Sequence, residues 1–197
     1  MKNLLFTMSL LFSTALYAQN SDLPYADISE KPGDYTIGNF ASRMVDGLGF
    51  RFYWATEGLT TENVAYRPSE ETRSIEETID HVVNLTTILK NAVMKSPTRF
   101  PIDIEGLDFD QKRAVILDNI EDASIILAGS EPSDFEEYEM TFVYPDGNSV
   151  SYPFWNLING PIEDAVWHTG QVVSMRRAAG NPFDGNVSVL QGNYKKN

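Results

Sequence analysis

The sequence has no cysteine and only two histidines among its 197 residues. Without cysteine the chain can form neither a disulfide framework nor a thiolate nucleophile, and metal sites built on cysteine are excluded. A bound metal ion would therefore depend on histidine, aspartate, glutamate or main-chain oxygen. His81 and His168 are the only histidines that could bind it.

Basic residues are also scarce, because 15 lysines and arginines stand against 28 acidic residues and give a formal net charge of -13. Such a chain lacks the positive surface that neutralises phosphates, so we expect no binding to nucleic acid or to an anionic membrane. Its hydrophobic content of 42% is ordinary for a folded protein. The composition therefore predicts a globular domain with a core of its own.

Long hydrophobic runs are missing after the first 18 residues. The apolar run from Leu4 to Leu16 follows Lys2 and ends before polar residues, which predicts a secretory signal peptide over residues 1–18. A terminal helix retained in the fold is the alternative. The run is too short to span a bilayer comfortably, so no integral membrane association is expected. These features predict a periplasmic or secreted protein without a lipoprotein anchor.

Four amphipathic helices are predicted from apolar residues that recur at steps of three and four. They cover about 39–59, 74–94, 108–128 and 154–179. The predicted apolar stripe of the last helix comprises Ile158, Ile162, Ala165, Val166, Thr169, Val172 and Val173. Pro161 lies inside that helix and predicts a kink or a restart, because proline lacks a backbone N–H and disfavours helix in the preceding residue.

Capping signals mark the starts of the second and third helices. Ser74 and Glu77 have the spacing of a capping box, and Asp108 is a suitable N-cap residue. Both helices therefore have defined first residues.

A small β-hairpin is predicted between the third and fourth helices. Residues alternate between Tyr138 and Tyr152, and Pro145-Asp146-Gly147-Asn148 forms a turn in the middle. The sequence thus predicts an all-α fold, a four-helix bundle over residues 39–180 with one long crossover. Residues 19–38 form an extended lead-in and residues 181–197 a C-terminal tail without periodicity.

Both histidines are predicted to lie at the edge of the helical core, about 80 to 100 degrees from the centre of their stripes. Asp164 precedes His168 by one helical turn, so the two side chains share a face and lie close enough to bind one ion. This spacing occurs by chance in many helices. On spacing alone, hydrogen-bonded boundary histidines beside an ordinary solvated carboxylate are the favoured alternative.

Other candidate residues surround this pair. Gln171 is a candidate partner of a metal ligand or substrate, or else a surface amide. Trp54, Trp155 and Trp167 are interpreted as packing residues or cleft walls. Arg176 and Arg177 are interpreted as favourable charges at a helix C-terminus.

Five segments of the sequence resemble motifs of the DinB-like (YfiT-like) family of metalloenzymes. They are Tyr66-Arg67-Pro68, Arg73-Ser74-Ile75, Asp80-His81-Val82, Asp164 to Gln171 and Met175 to Gly180. The resemblance covers about residues 39–180. It implies an up-down-down-up four-helix bundle that binds a divalent metal ion at one end of a central cleft.

The same resemblance implies that His81 and His168 are metal ligands. The family usually has histidine at the position of Asp164, and arginine at the position of Thr169. Aspartate still offers a donor atom, so we expect a site of His81, Asp164 and His168 with a changed metal preference. Two histidines and one carboxylate leave open coordination positions, and Zn, Ni, Fe or Mn would suit them.

Two functions follow from this hypothesis. The first is a metal-dependent enzyme acting on a small molecule, either a hydrolase or a thiol-dependent transferase. Hydrolysis is the simpler choice for an exported protein, since cytosolic thiols are scarce outside the cell. The second is a non-catalytic ligand-binding bundle whose metal site is weakened or lost. The oligomeric state, including a homodimer, stays open.

Overall fold

The computed structural model describes residues 23–195, and within them the chain is largely helical with two small sheets. The helices are α1 (Ile37–Thr56), α2 (Thr61–Val64), α3 (Ile75–Val93), α4 (Phe109–Ala128), α5 (Phe154–Leu157) and α6 (Glu163–Ala178). The strands are β1 (Thr98–Arg99), β2 (Met140–Val143), β3 (Ser149–Tyr152), β4 (Val187–Ser188) and β5 (Asn193–Tyr194). No helix in this part of the chain combines the length and hydrophobicity of a membrane span. The predicted signal peptide lies outside the described residues.

The predicted capping residues start two of the long helices. At the start of α3, the Ser74 hydroxyl oxygen accepts from the Glu77 N–H at 3.1 Å, and the Glu77 carboxylate accepts from the Ser74 N–H at 2.8 Å. Asp108 and Gln111 form the equivalent pair at the start of α4. Each cap stabilises its helix by about 1 kcal/mol. The cap of α3 places His81 in the second turn of that helix.

The first helix is shifted from its predicted range of 39–59. Thr36 caps its start, because the Thr36 hydroxyl accepts from the Asn39 N–H at 3.0 Å. Its end comes earlier than predicted, because Glu57 is extended and Gly58 has a φ of 70°. Glycine adopts this left-handed conformation readily, so the chain turns there.

One apolar core lies between the long helices. The predicted stripes of α1 and α3 are buried in it: Ala41, Val45, Leu48, Phe52, Ala55, Ile75, Ile79, Val82, Thr86, Leu89 and Val93. α1 packs against α4 and α6, and α3 packs against the same two helices. This packing brings α3 and α6, the helices that carry the two histidines, side by side.

The predicted hairpin is present as β2 and β3, which pair antiparallel with Met140 opposite Tyr152 and Val143 opposite Ser149. β1 pairs parallel with β2 and completes a three-stranded sheet. This strand was not predicted, because two residues are too short to show an alternating pattern. The sheet covers one side of α3.

Pro161 lies in a π-helical turn, Ile158–Ile162, that separates α5 from α6. The interruption predicted at this proline is therefore confirmed. The ring of Pro161 cannot donate to Leu157 and would collide with its carbonyl in a regular helix. The wider turn relieves the clash, and the Glu163 N–H then donates to the carbonyl of Ile158. Asp164 follows directly, so the π turn sets the rotation at which α6 presents it.

The predicted stripe of the last helix was wrong at Val166, which is exposed. Val166 is one residue, about 100 degrees of helical rotation, after the buried Ala165 and therefore lies at the edge of the stripe. The predicted stripe residues Ala165, Thr169 and Val172 are buried.

Arg176, interpreted as a favourable charge at a helix C-terminus, lies in the last turn of α6 and is buried. Its guanidinium donates to the carbonyl oxygens of Trp54, Ala55 and Glu57, the unpaired acceptors at the end of α1. It also donates to the backbone and side-chain oxygens of Asn181. Arg176 thus joins the C-terminal ends of α1 and α6.

The segments flanking the bundle meet beside Trp54. The Trp54 indole N–H donates to the carbonyl of Ala26 at 3.1 Å, and its ring stacks on Tyr194 with centroids 5.0 Å apart. The Ile28 N–H donates to the carbonyl of Gly192. Trp54 therefore has the predicted packing role, between the lead-in and the tail.

An acidic patch on α1 and α4 carries unfavourable charge. Partial burial and the nearby Asp118, Asp122 and Asp46 raise the pKa of Glu121 above its ordinary value of 4.5. Burial and Asp122 likewise raise the pKa of Asp118. A carboxyl group whose pKa is raised on folding destabilises the fold once it ionises, so stability falls as pH rises through that window.

Glu121→Gln is expected to raise the melting temperature at pH 7 by about 1 to 2 °C, since the exposed patch is strongly screened. The gain should disappear below pH 4, where the carboxyl group is protonated in both states, and shrink in high salt. Glu71→Gln, the same charge change in an exposed loop, is the control. Equal gains in both variants would contradict the proposed repulsion.

Candidate metal centre

The three predicted ligands meet between α3 and α6. Nε2 of His81 lies 3.2 Å from Oδ2 of Asp164, and Nε2 of His168 lies 3.3 Å from Oδ1 of the same carboxylate. The two imidazole rings are perpendicular, with centroids 4.6 Å apart. All three donor atoms lie within 4.8 Å of one another, and within residues 23–195 no second acidic or histidine group of three is as compact.

These separations suit ligands of a single ion. Two ligand atoms that bind one tetrahedral metal ion at about 2.1 Å lie about 3.4 Å apart. The observed contacts of His81 and His168 with Asp164, 3.2 and 3.3 Å, are close to that value. The two contacts involve different oxygens of Asp164, so a shared ion would bind both carboxylate oxygens or require a shift of at least one side chain.

Gln171 fixes the orientation of one imidazole. Its Oε1 lies 2.8 Å from Nδ1 of His168, and because an amide oxygen only accepts, this contact places the proton on Nδ1. In neutral His168 the lone pair then lies on Nε2, which faces a carboxylate oxygen of Asp164. Two acceptors in contact require a proton or a cation between them. Metal-binding histidines commonly have such an oxygen acceptor on their outer nitrogen.

The site is partly accessible to solvent. The His168 side chain is 13% exposed, and those of His81 and Asp164 are 29% and 35% exposed. Partial burial lowers the pKa of His81, and the positive charge of Arg73 lowers it further, while the hydrogen bond to Asp164 opposes both effects. His81 is therefore biased toward the neutral form that binds a metal ion.

A groove of about 820 Å³ begins at His168 and Gln171. Its walls include Arg73, just before the cap of α3, and Trp167, whose ring is 71% exposed. The cleft-wall interpretation of Trp167 fits this position, and the packing interpretation does not. Arg73 forms no ion pair with any residue in the described range. The groove thus places one cation and one aromatic wall beside His168, the candidate ligand that lines it.

Arg73 had no predicted role, although it belongs to the motif Arg73-Ser74-Ile75. The signal available was its place next to Ser74, at the start of the helix that carries His81. Its approach to His168 depends on the packing of α3 against α6, which spacing along the chain does not reveal.

Two neighbouring acids lie outside the cluster, as helix geometry predicts. Asp80 binds Lys112, with Oδ1 2.7 Å from Nζ, and Glu76 binds the same buried ammonium at 3.1 Å. Glu163 is exposed to solvent. Asp164 is therefore the carboxylate that joins the two histidines.

No protein-family model and no curated protein sequence matches the chain. The function is therefore inferred from the arrangement of the three donors and the adjoining groove.

Proposed function

We propose that the protein is an exported metal-dependent enzyme of the DinB-like family, acting on a small molecule. The observation that carries the proposal is the convergence of His81, Asp164 and His168, with Gln171 holding the outer nitrogen of His168. The ion is divalent, and Zn, Ni, Fe and Mn are the candidates. The predicted signal peptide supports a periplasmic or secreted location.

The proposed topology is an up-down-down-up four-helix bundle formed by α1, α3, α4 and α6. In this arrangement α3 and α4 run parallel, so the chain between them must return along the bundle. The connecting residues 94–108 contain no helix and span up to about 50 Å when extended. α3 has 19 residues and is about 28 Å long. The connection is thus long enough for the proposed crossover.

Three ligands favour a catalytic site over a structural one, because structural zinc sites usually have four protein ligands. Within such a site, a divalent ion lowers the pKa of water or polarises a substrate carbonyl. The groove brings a small molecule to His168, and Trp167 offers an aromatic surface for its apolar part. Hydrolysis fits these features and an exported protein. Thiol-dependent transfer is the second reaction that fits the donors.

Metal titration tests the proposal. The full chain, purified without chelator, is expected to bind about one equivalent of at least one of the four ions, measured by calorimetry and elemental analysis. His168→Ala should weaken binding at least about a hundredfold, since it removes a ligand. Ser174→Ala, a change in an exposed hydroxyl of the same groove, should bind like the wild type.

The competing interpretation is a polar cluster in a non-catalytic bundle, because the 3.2 Å contact between His81 and Asp164 is also a long hydrogen bond and His168 is hydrogen-bonded to Gln171. Retention of less than about a tenth of an equivalent of every ion would favour that interpretation and overturn the metal site. Unchanged affinity in His168→Ala would overturn the ligand assignment alone.

A further inference from the structure

A second cavity, which we call the aromatic pocket, lies away from the candidate metal centre. It is formed by the first turns of α1, the turn Pro132–Glu136 and the helix α5, and its volume is about 690 Å³. None of the candidate metal ligands lines it. A cavity of this size accommodates a small organic molecule.

Four aromatic side chains line the aromatic pocket: Phe40, Phe135, Phe154 and Trp155. Phe135 and Phe154 pack edge to face with centroids 4.8 Å apart, which fixes the inner wall. Phe40 and Trp155 are 66% and 73% exposed, although large aromatic side chains gain most from burial. The cleft-wall interpretation of Trp155 fits its place in the pocket lining, and the packing interpretation does not. Large apolar side chains exposed around one cavity are typical of a binding site.

Glu136 is the charged side chain of the pocket lining. Its neighbours Asp134 and Glu137 both approach Lys95, at 3.9 and 2.5 Å. Glu136 forms no ion pair with any residue from 23 to 195. The pocket lining therefore combines aromatic side chains with an acidic residue that has no ion-pair partner among residues 23–195, and both features attract organic cations.

We infer that the aromatic pocket binds an organic ammonium ion with an apolar body. The apolar part contacts the rings of Phe40, Phe135 and Trp155, and the ammonium group lies near Glu136. The net charge of -13 favours a cation over an anion of the same shape. It also disfavours a second copy of this acidic chain as the occupant. The inference is independent of the metal site, because the two sites share no residue.

Three probes with the same eight-carbon chain test the inference by calorimetry: octyltrimethylammonium, 1-octanol and octanoate, each below its micellar concentration. We expect one equivalent of octyltrimethylammonium to bind, about tenfold more tightly than 1-octanol, with no detectable binding of octanoate. Octanoate that binds as tightly as the ammonium probe would overturn the inference.

Two matched variants distinguish the charge of Glu136 from the overall charge of the protein. Glu136→Gln should weaken octyltrimethylammonium binding about tenfold and leave 1-octanol binding unchanged. Glu139→Gln makes the same change at an exposed acid outside the pocket lining and should change neither. If both variants lose the same affinity for octyltrimethylammonium, the overall charge of the protein explains the loss, and the assignment of Glu136 is refuted.

Phe40→Ala should weaken both probes, and because Phe40 is largely exposed, circular dichroism and the melting temperature should stay close to the wild type. Analytical ultracentrifugation of the wild type and of Phe40→Ala measures whether this face forms a dimer. A dimer that dissociates in Phe40→Ala would assign this face to a second copy of the chain and overturn the small-molecule site.

Discussion

Arg176→Met is expected to lower the free energy of unfolding by about 3 kcal/mol. The guanidinium donates five hydrogen bonds, to three carbonyl oxygens at the end of α1 and to two oxygens of Asn181. Methionine keeps much of the aliphatic volume and leaves these acceptors without a donor. A buried acceptor that loses its partner costs about 1 to 3 kcal/mol, and relief from burying the charge offsets part of the total.

Urea and thermal unfolding followed by circular dichroism measure this loss. For a chain of this size, 3 kcal/mol corresponds to a fall of about 6 to 12 °C in melting temperature. Arg177→Met is the matched control, because Arg177 is the exposed neighbour on the same turn and its change should stay within about 0.5 kcal/mol. Equal stability of the two variants would mean that the contacts of Arg176 contribute little beyond its charge.

Local signals in the sequence were sufficient to predict the long helices α1, α3 and α4, whereas the four-residue helix α2 was not predicted. The Ser74–Glu77 box and the Asp108 cap depend on residues three positions apart, and both are present. The stripes of α1 and α3 are regular because each helix faces one core along its whole length. The hairpin was predictable for the same reason, since its turn and its strands are adjacent in the sequence.

Features that depend on distant contacts were not predictable. Arg176 and Arg177 are neighbouring arginines that the sequence does not distinguish, yet only Arg176 donates to the carbonyl of Trp54. The partner of β1 is 44 positions away, where Thr98 lies opposite Phe142. Val166 lies at the edge of the α6 stripe, where its exposure depends on packing that the helical period does not show.

The candidate site could be predicted to the level of its three donors. Asp164 and His168 are one turn apart on the same helix, so their proximity is a local property of α6. Their approach to His81, which is 83 positions from Asp164, required the family resemblance as well as the period of α3. The place of Arg73 in the groove wall was identified only from the packed helices, whereas a cleft-wall role was one of two predicted for Trp167.

Asp164→Asn is expected to weaken metal binding about a hundredfold for every ion that the wild type binds, because it exchanges an anionic donor for a neutral amide oxygen. Asp164→His should retain a three-ligand site but change its selectivity. Imidazole suits Ni and Zn, whereas Mn prefers carboxylate, so the ratio of Ni to Mn affinity should rise at least about tenfold. Competition calorimetry with the two ions measures this ratio.

Glu163→Gln is the control for both Asp164 variants, since it removes the same charge from the adjacent exposed residue. If Glu163→Gln weakens metal binding as much as Asp164→Asn does, the Asp164 carboxylate contributes only its charge to the acidic surface and is not a ligand. If Asp164→His binds no ion while Asp164→Asn binds like the wild type, position 164 is not a ligand position. The electric field of the acidic surface acts on both divalent ions alike. A change in the ratio of Ni to Mn affinity that occurs only in Asp164→His therefore cannot be a field effect, and it requires position 164 to be a ligand position. That selectivity would therefore identify Asp164 as a direct ligand.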